Sequence, residues 1–193
     1  MAAGQDLPIV QLKDQRAWRR WLSANHTRFD GVWLKFAKKG SPTPTVSYGE
    51  ALEEALCFGW IDGQARGFDE HFYLQRFTPR RARSKWSQNN RVKAERLIEA
   101  GRMQVSGLAQ IEAARADGRW EAAYPAQSQA TVPEDFQRAL DKNPGARAFF
   151  DTLTGSARYA FLYRLHDVRD PERRARRVAD YIERLSAGRT LQD

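Results

Sequence analysis

The sequence predicts an α+β fold: a small antiparallel sheet with helices in the N-terminal part, followed by a helical C-terminal part. Three observations lead there. Strand signals are confined to Val32–Lys38 and Trp60–Phe77. Every periodic segment after Thr78-Pro79 repeats at helical spacing. Residues that start and stop helices recur along the whole chain.

Asp14 is placed to cap a first helix running to about Ala24, with Trp18, Trp21 and Leu22 on its apolar stripe. Asp30-Gly31 is a turn signal, after which Val32 to Lys38 reads as a strand. Gly40-Ser41-Pro42-Thr43-Pro44 cannot extend that strand and forms a loop. Ser47 and Glu50 have capping-box spacing, opening a helix that Gly59 ends. Trp60 to Gly67 and His71 to Phe77 form a hairpin around Phe68-Asp69-Glu70, and Thr78-Pro79 stops it.

Ser87 caps a helix ended by Gly101, and Ser106 one ended by Gly118. Pro133 and Pro144 fit first-turn positions of two short helices. A further helix spans about Ser156 to Leu165. The last opens at Asp170-Pro171, ends before Gly188, and aligns Ala175, Val178, Ala179, Ile182 and Leu185 on one face. The organisation is an α+β part over residues 1–86 and a helical part over residues 87–193, also compatible with packing as a single domain. Trp120 to Thr131, with little periodicity, reads as a connector.

A chain of 193 residues that is 41% hydrophobic, with six Trp, ten Phe and six Tyr, buries a real core and is not a disordered tail. The single cysteine, Cys57, forms no intramolecular disulfide. No apolar run approaches the roughly 18 residues of a membrane helix, and Met1 to Val10 lacks the features of a signal peptide. These point to the cytoplasm. The formal charge of +8 is local: Arg76 to Arg96 holds eight basic residues against Glu95. Arg164 to Arg177 holds six arginines against Asp167, Asp170 and Glu172. A localised field of this kind selects an anionic partner.

No metal set is readable, because His26, His71 and His166 are far apart and no pair has ligand spacing. Cys57, in Ala55-Leu56-Cys57-Phe58, reads as a buried filler rather than a nucleophile. No nucleophile elbow, phosphate-binding glycine loop or dinucleotide fingerprint occurs, so neither catalytic residues nor a cofactor are assigned. The C-terminal arginines Arg173, Arg174, Arg176 and Arg177 lie outside an apolar stripe and read as an exposed helix face.

The informative stretch runs from Cys57 to Asn90. Arg76 shares strand parity with Phe72 and Leu74, so it needs an acidic partner or a bound anion, and Asp62 on the neighbouring strand is the local candidate. Two readings follow. One is a structural Asp62–Arg76 ion pair beneath aromatic packing. The other is a ligand pocket walled by Trp60 and Trp86, in which Asp62, Arg76, Arg80, Ser84 and Asn89 meet a small anion or an acidic protein partner. Two alternatives use the same region: nucleic-acid binding through the Arg76–Arg96 zone with Trp86 as a stacking platform, and an enzyme using Asp62 or Glu70 with His71.

Ala55-Leu56-Cys57-Phe58-Gly59-Trp60-Ile61-Asp62-Gly63, Phe77-Thr78-Pro79-Arg80-Arg81 and Ser84-Lys85-Trp86-Ser87-Gln88-Asn89 resemble the YdeI/OmpD-associated proteins. So do Leu97 to Met103, Asp117 to Trp120, and the helical tail from Val132-Pro133 to Arg177. The resemblance implies a role in bacteriocin protection or envelope stress and association with an outer-membrane porin. It brings no cofactor and no catalytic set.

Overall fold

The structure is a computed structural model that describes residues 7–192, so the signal-peptide expectation for Met1 to Val10 lies largely outside the described residues. The fold is α+β. The chain divides into two compact units, residues 1–123 and 124–193. The division falls inside the stretch read as a connector. It places the helices over 88–116 in the first unit, whereas a boundary at residue 86 would group them with the C-terminal helices.

In the first unit the order is β1 (Ile9–Gln11), α1 (Gln15–Asn25), β2 (Val32–Ala37), α2 (Tyr48–Cys57), β3 (Trp60–Gly67), β4 (Phe72–Pro79), α3 (Gln88–Glu99) and α4 (Val105–Ala116). The sheet runs β1-β2-β4-β3, with β1 parallel to β2 and the other pairs antiparallel. β1 escapes the sequence reading because three residues are too few to show a period. The β3–β4 turn is set by the Asp69 carboxylate, which accepts from the amides of His71 (2.8 Å) and Phe72 (2.7 Å). Between Asp62 and Ala65 the register slips, and Gln75 Nε2 donates to the freed Gly63 carbonyl at 2.7 Å.

The expected caps at Asp14, Ser47 and Ser87 are present. Two others differ. α4 starts at Val105 with Gln104 as N-cap, and the Ser106 hydroxyl is buried without a hydrogen-bond partner. Pro133 takes the N-cap position of its helix rather than the first turn.

One sheet face sends Val32, Leu34, Phe36, Phe77 and Trp60 into a core with Trp18 and Leu22 of α1 and the buried side of α2. Trp18 is fully buried and its Nε1 donates to the Ala51 carbonyl at 3.0 Å, tying α1 to α2. α4 reaches α2 only because residue 107 is glycine: a Cβ there would lie 2.2 Å from the Cys57 carbonyl oxygen.

The second unit holds a short 3-10 turn (Gln127–Gln129), α5 (Glu134–Asp141), α6 (Pro144–Thr152), α7 (Gly155–His166) and α8 (Pro171–Ser186). Phe136, Phe150, Phe161 and Tyr181 meet edge to face at its centre, with Leu140, Leu165 and Leu185 around them. Arg174 belongs to this packing and not to a solvated face. It grips the Asp135 carboxylate of α5 (Nη2–Oδ1 2.9 Å) and donates from Nη1 to the Leu165 carbonyl at 2.8 Å. One guanidinium thereby joins α5, the end of α7 and α8.

Candidate functional site

The seven residues expected to form a pocket occupy several different settings. Trp60 is 1% exposed, stands edge-on to Trp21 and donates from Nε1 to the His26 carbonyl at 3.2 Å. Asp62 accepts from the Tyr48 hydroxyl at 2.8 Å. Register explains why Asp62 does not take Arg76. Asp62 lies opposite Phe77, so the next residue, Arg76, projects from the other sheet face, in register with Trp33. Arg76 Nε instead lies over Gly63, where a Cβ would come within 3.1 Å, and it has no hydrogen-bond partner.

Arg80, Ser84 and Trp86 do come together, in the loop after β4. The Arg80 guanidinium lies 3.5 Å over the Trp86 ring and donates from Nη1 to the Lys85 carbonyl at 3.1 Å. Trp86, only 2% exposed, packs against Trp120. The Ser84 hydroxyl accepts from the Arg81 amide, and its carbonyl accepts from Arg119. Asn89 is exposed in the first turn of α3. The loop is held by its own contacts, and both tryptophan rings face inward. That arrangement withdraws Trp86 as a stacking platform for bases.

Of the enzyme alternative, Asp62 is separated from His71, while Glu70 is its exposed chain neighbour. Glu70 and His71 are exposed at the hairpin turn, while Asp62 lies near the far end of β3. At ~3.3 Å per residue that end is well beyond proton-transfer reach. Among the described residues no group of three or more His, Cys, Asp or Glu could hold a metal ion, and no helix is long and apolar enough to cross a membrane.

The reading from sequence missed a buried carboxylate. Glu54, on the inner side of α2, is 2% exposed. It accepts from Arg19 Nη1 at 2.7 Å, Arg102 Nη2 at 2.6 Å and Gln15 Nε2 at 2.9 Å. Burial, and behind it the charge of Glu54, pushes the nearby Cys57 thiol up to about 11. Cys57 is thus a neutral, fully buried filler. A glutamate on the apolar stripe of α2 is the one sequence sign of this cluster.

The second unit carries two cavities. One, of about 210 Å³, is lined by Tyr124, Pro125, Leu162, Tyr159, Tyr163 and His166, among others. Its Tyr159 hydroxyl donates to the Pro125 carbonyl at 2.9 Å, and burial, then the neighbouring Tyr124 and Tyr163, pushes it up to about 12.

The other is a hollow of about 530 Å³ lined by Arg164 of α7, by Arg177, Asp180, Tyr181 and Arg184 of α8, and by Leu191. Arg177, Asp180, Tyr181 and Arg184 fall at i, i+3, i+4 and i+7, so one helix face presents all four. Asp180 and Arg184 pair at 3.5 Å. Arg164 and Arg177 form no ion pair among the described residues. The Tyr181 ring is in the core, and its hydroxyl is buried beside the Arg177 side chain, which acts on it as a hydrogen-bond donor. Burial raises this hydroxyl above the usual tyrosine value against the pull of Arg177, so it stays a neutral donor. Two guanidiniums that form no ion pair among the described residues, next to a buried neutral hydroxyl, form a setting that an anion completes. The sequence showed these arginines only as part of a basic helix, because α7 and α8 meet through the loop between them.

The fold and both cavities frame what the comparisons find. Residues 10–110 match the family described as a domain of unknown function (DUF8412), and the chain belongs to that family. Residues 129–188 match the family model described as "Bacteriocin-protection, YdeI or OmpD-Associated". The YdeI/OmpD-associated resemblance is therefore carried by the four helices of the second unit, while the tryptophan-centred motifs around Trp60 and Trp86 fall within the other match. No curated protein and no solved structure matches the chain.

Proposed function

We propose that this protein is a non-catalytic binder of a small anionic ligand, working in the cytoplasm in bacteriocin or envelope-stress resistance. The ligand is held in the α7–α8 hollow. The observation that carries the reading is the pair Arg164 and Arg177, which form no ion pair among the described residues, beside the buried, neutral Tyr181 hydroxyl. The resistance role rests on the bacteriocin-protection character of the family whose model residues 129–188 match. The cytoplasmic setting is supported by a single, buried, unpaired cysteine.

This reading moves the ligand from the expected cluster of Trp60, Asp62, Arg76, Arg80, Ser84, Trp86 and Asn89 to the second unit. In that cluster Arg80 already has Trp86 and the Lys85 carbonyl as partners. In the hollow Arg164 and Arg177 form no ion pair among the described residues.

The test is thermal unfolding of the wild-type chain and of Arg164→Ala/Arg177→Ala, with and without inorganic phosphate. A ligand present at 100 times its Kd stabilises by about 2.7 kcal/mol, which is a shift of several degrees. The wild type shifts and the double variant does not. Equal shifts in both proteins would remove the hollow as the site.

A further inference from the structure

We infer that the ligand of the α7–α8 hollow is a phosphate monoester carrying hydroxyl groups, such as a sugar phosphate; this rests on the anion-binding reading above.

The first argument is charge. Four ionised groups line the hollow, three of them cationic. Asp180 and Arg184 neutralise each other at 3.5 Å. What remains is the double positive charge of Arg164 and Arg177. A phosphate monoester carries about −1.5 to −2 at pH 7, which balances it. A carboxylate or a sulfate ester, with a single charge, leaves one guanidinium uncompensated. An ammonium group in the ligand would leave the Asp180–Arg184 side over-charged, because Arg184 already answers Asp180.

The second argument is size and polarity. At about 530 Å³ the hollow is several times larger than a bare phosphate needs. Asp180, Arg184 and Leu191 line it together with Arg164 and Arg177. The Asp180 carboxylate repels a second anion but accepts from hydroxyl groups, and Arg184 donates to their oxygens. An ester whose organic part carries hydroxyls meets both kinds of lining group.

The third argument is the Tyr181 hydroxyl. Tyr181 also lines the hollow. Its ring packs against Phe136 and Phe161 in the core, so the hydroxyl is fixed in place. The hydroxyl is buried beside Arg177, which acts on it as a hydrogen-bond donor. Its own proton is then left to donate, and a phosphate oxygen held by the two guanidiniums accepts it.

The test is calorimetric titration of the full chain with glucose 6-phosphate, glucose 6-sulfate, inorganic phosphate and glucose, at pH 5.0 and pH 7.5. Glucose 6-phosphate should bind at least about tenfold tighter than the sulfate ester at pH 7.5, which is about 1.4 kcal/mol. That preference should shrink at pH 5.0, where the phosphate loses its second charge around pH 6. The sulfate ester keeps its charge over this range and is the reference for any pH effect that does not come from the phosphate.

Tyr181→Phe should weaken glucose 6-phosphate severalfold, since it removes the neutral donor beside the two guanidiniums. Asp180→Asn should weaken glucose 6-phosphate but not inorganic phosphate. If inorganic phosphate and glucose 6-phosphate bind equally, the ester inference fails and anion binding stands. Tight binding to phosphatidic-acid vesicles without binding to glucose 6-phosphate also overturns the ester inference, in favour of a lipid headgroup. If none of the anions binds, both readings fail.

Discussion

Replacing Glu54 with alanine tests whether the first unit is held at this point by a buried charge or by apolar packing alone. The carboxylate is nearly inaccessible and is shared by Arg19, Arg102 and Gln15. Removing one partner of a fully buried pair costs about 3–5 kcal/mol. Here each arginine side chain keeps 35% of its surface exposed, so water recovers part of what Glu54 supplied. The expected loss is therefore about 2 kcal/mol, less than the fully buried figure and more than the ~1 kcal/mol ceiling of surface pairs.

Glu53→Ala is the internal control. That carboxylate is 35% exposed and meets Arg102 once, at 3.1 Å. Urea unfolding followed by tryptophan fluorescence is the assay, because all six tryptophans, from Trp18 to Trp120, lie in the first unit. The Glu54→Ala midpoint should fall with unchanged slope, by at least twice the loss in Glu53→Ala. Losses of equal size in the two variants would refute the argument, since burial would then add nothing to the ion pair.

Gly107→Ala should cost about 2 kcal/mol or more, because its Cβ would meet the Cys57 carbonyl at 2.2 Å, backbone that cannot step aside; the same urea assay reads it, and a loss under ~0.5 kcal/mol would mean α4 slides freely on α2. Cys57 should react slowly with a disulfide reagent at pH 8 in the native state and quickly in denaturant, as its thiol sits at about 11. Its neutral form is favoured by folding, so the folded state holds more protons above the unfolded value. Stability should then fall as the pH rises from about 9 towards 11, a loss that Cys57→Ala removes. Asp135 is held below the usual carboxylate range by its hydrogen bond to Arg174. Its contribution is complete above the unfolded pKa and disappears as the pH falls through the lower folded value. Circular dichroism of Asp135→Asn should show a flatter acid limb for the second unit, and an acid limb as steep as the wild type would count against the pair.

How much of this was legible in the sequence can be traced residue by residue. Asp14, Ser47, Glu50, Ser87 and Asp170 start helices through contacts within three residues, so local spacing reveals them. The strand signal at Val32 to Lys38 and the turn at Asp69 are equally local. The α+β class and the helical second half follow from such signals.

The candidate site was not legible in the same way. Pairing Asp62 with Arg76 was a guess about register, and a β-bulge near Gly63 is invisible in a list of residues. A one-residue difference in register sends neighbouring side chains to opposite faces of a sheet. Glu54 gains its meaning from Arg19 and Arg102, which lie 35 and 48 residues away. Arg174 and Arg177 are near neighbours in one basic run. Yet the first is consumed by Asp135, 39 residues earlier, and the second lines the hollow with Arg164 and forms no ion pair among the described residues.

What the sequence determined by itself is where helices and strands begin and end, because those choices rest on backbone groups a few residues apart. What only the tertiary structure decided is which charges are spent on the fold and which remain for a ligand, because Coulomb and hydrogen-bond partners are set by proximity in space.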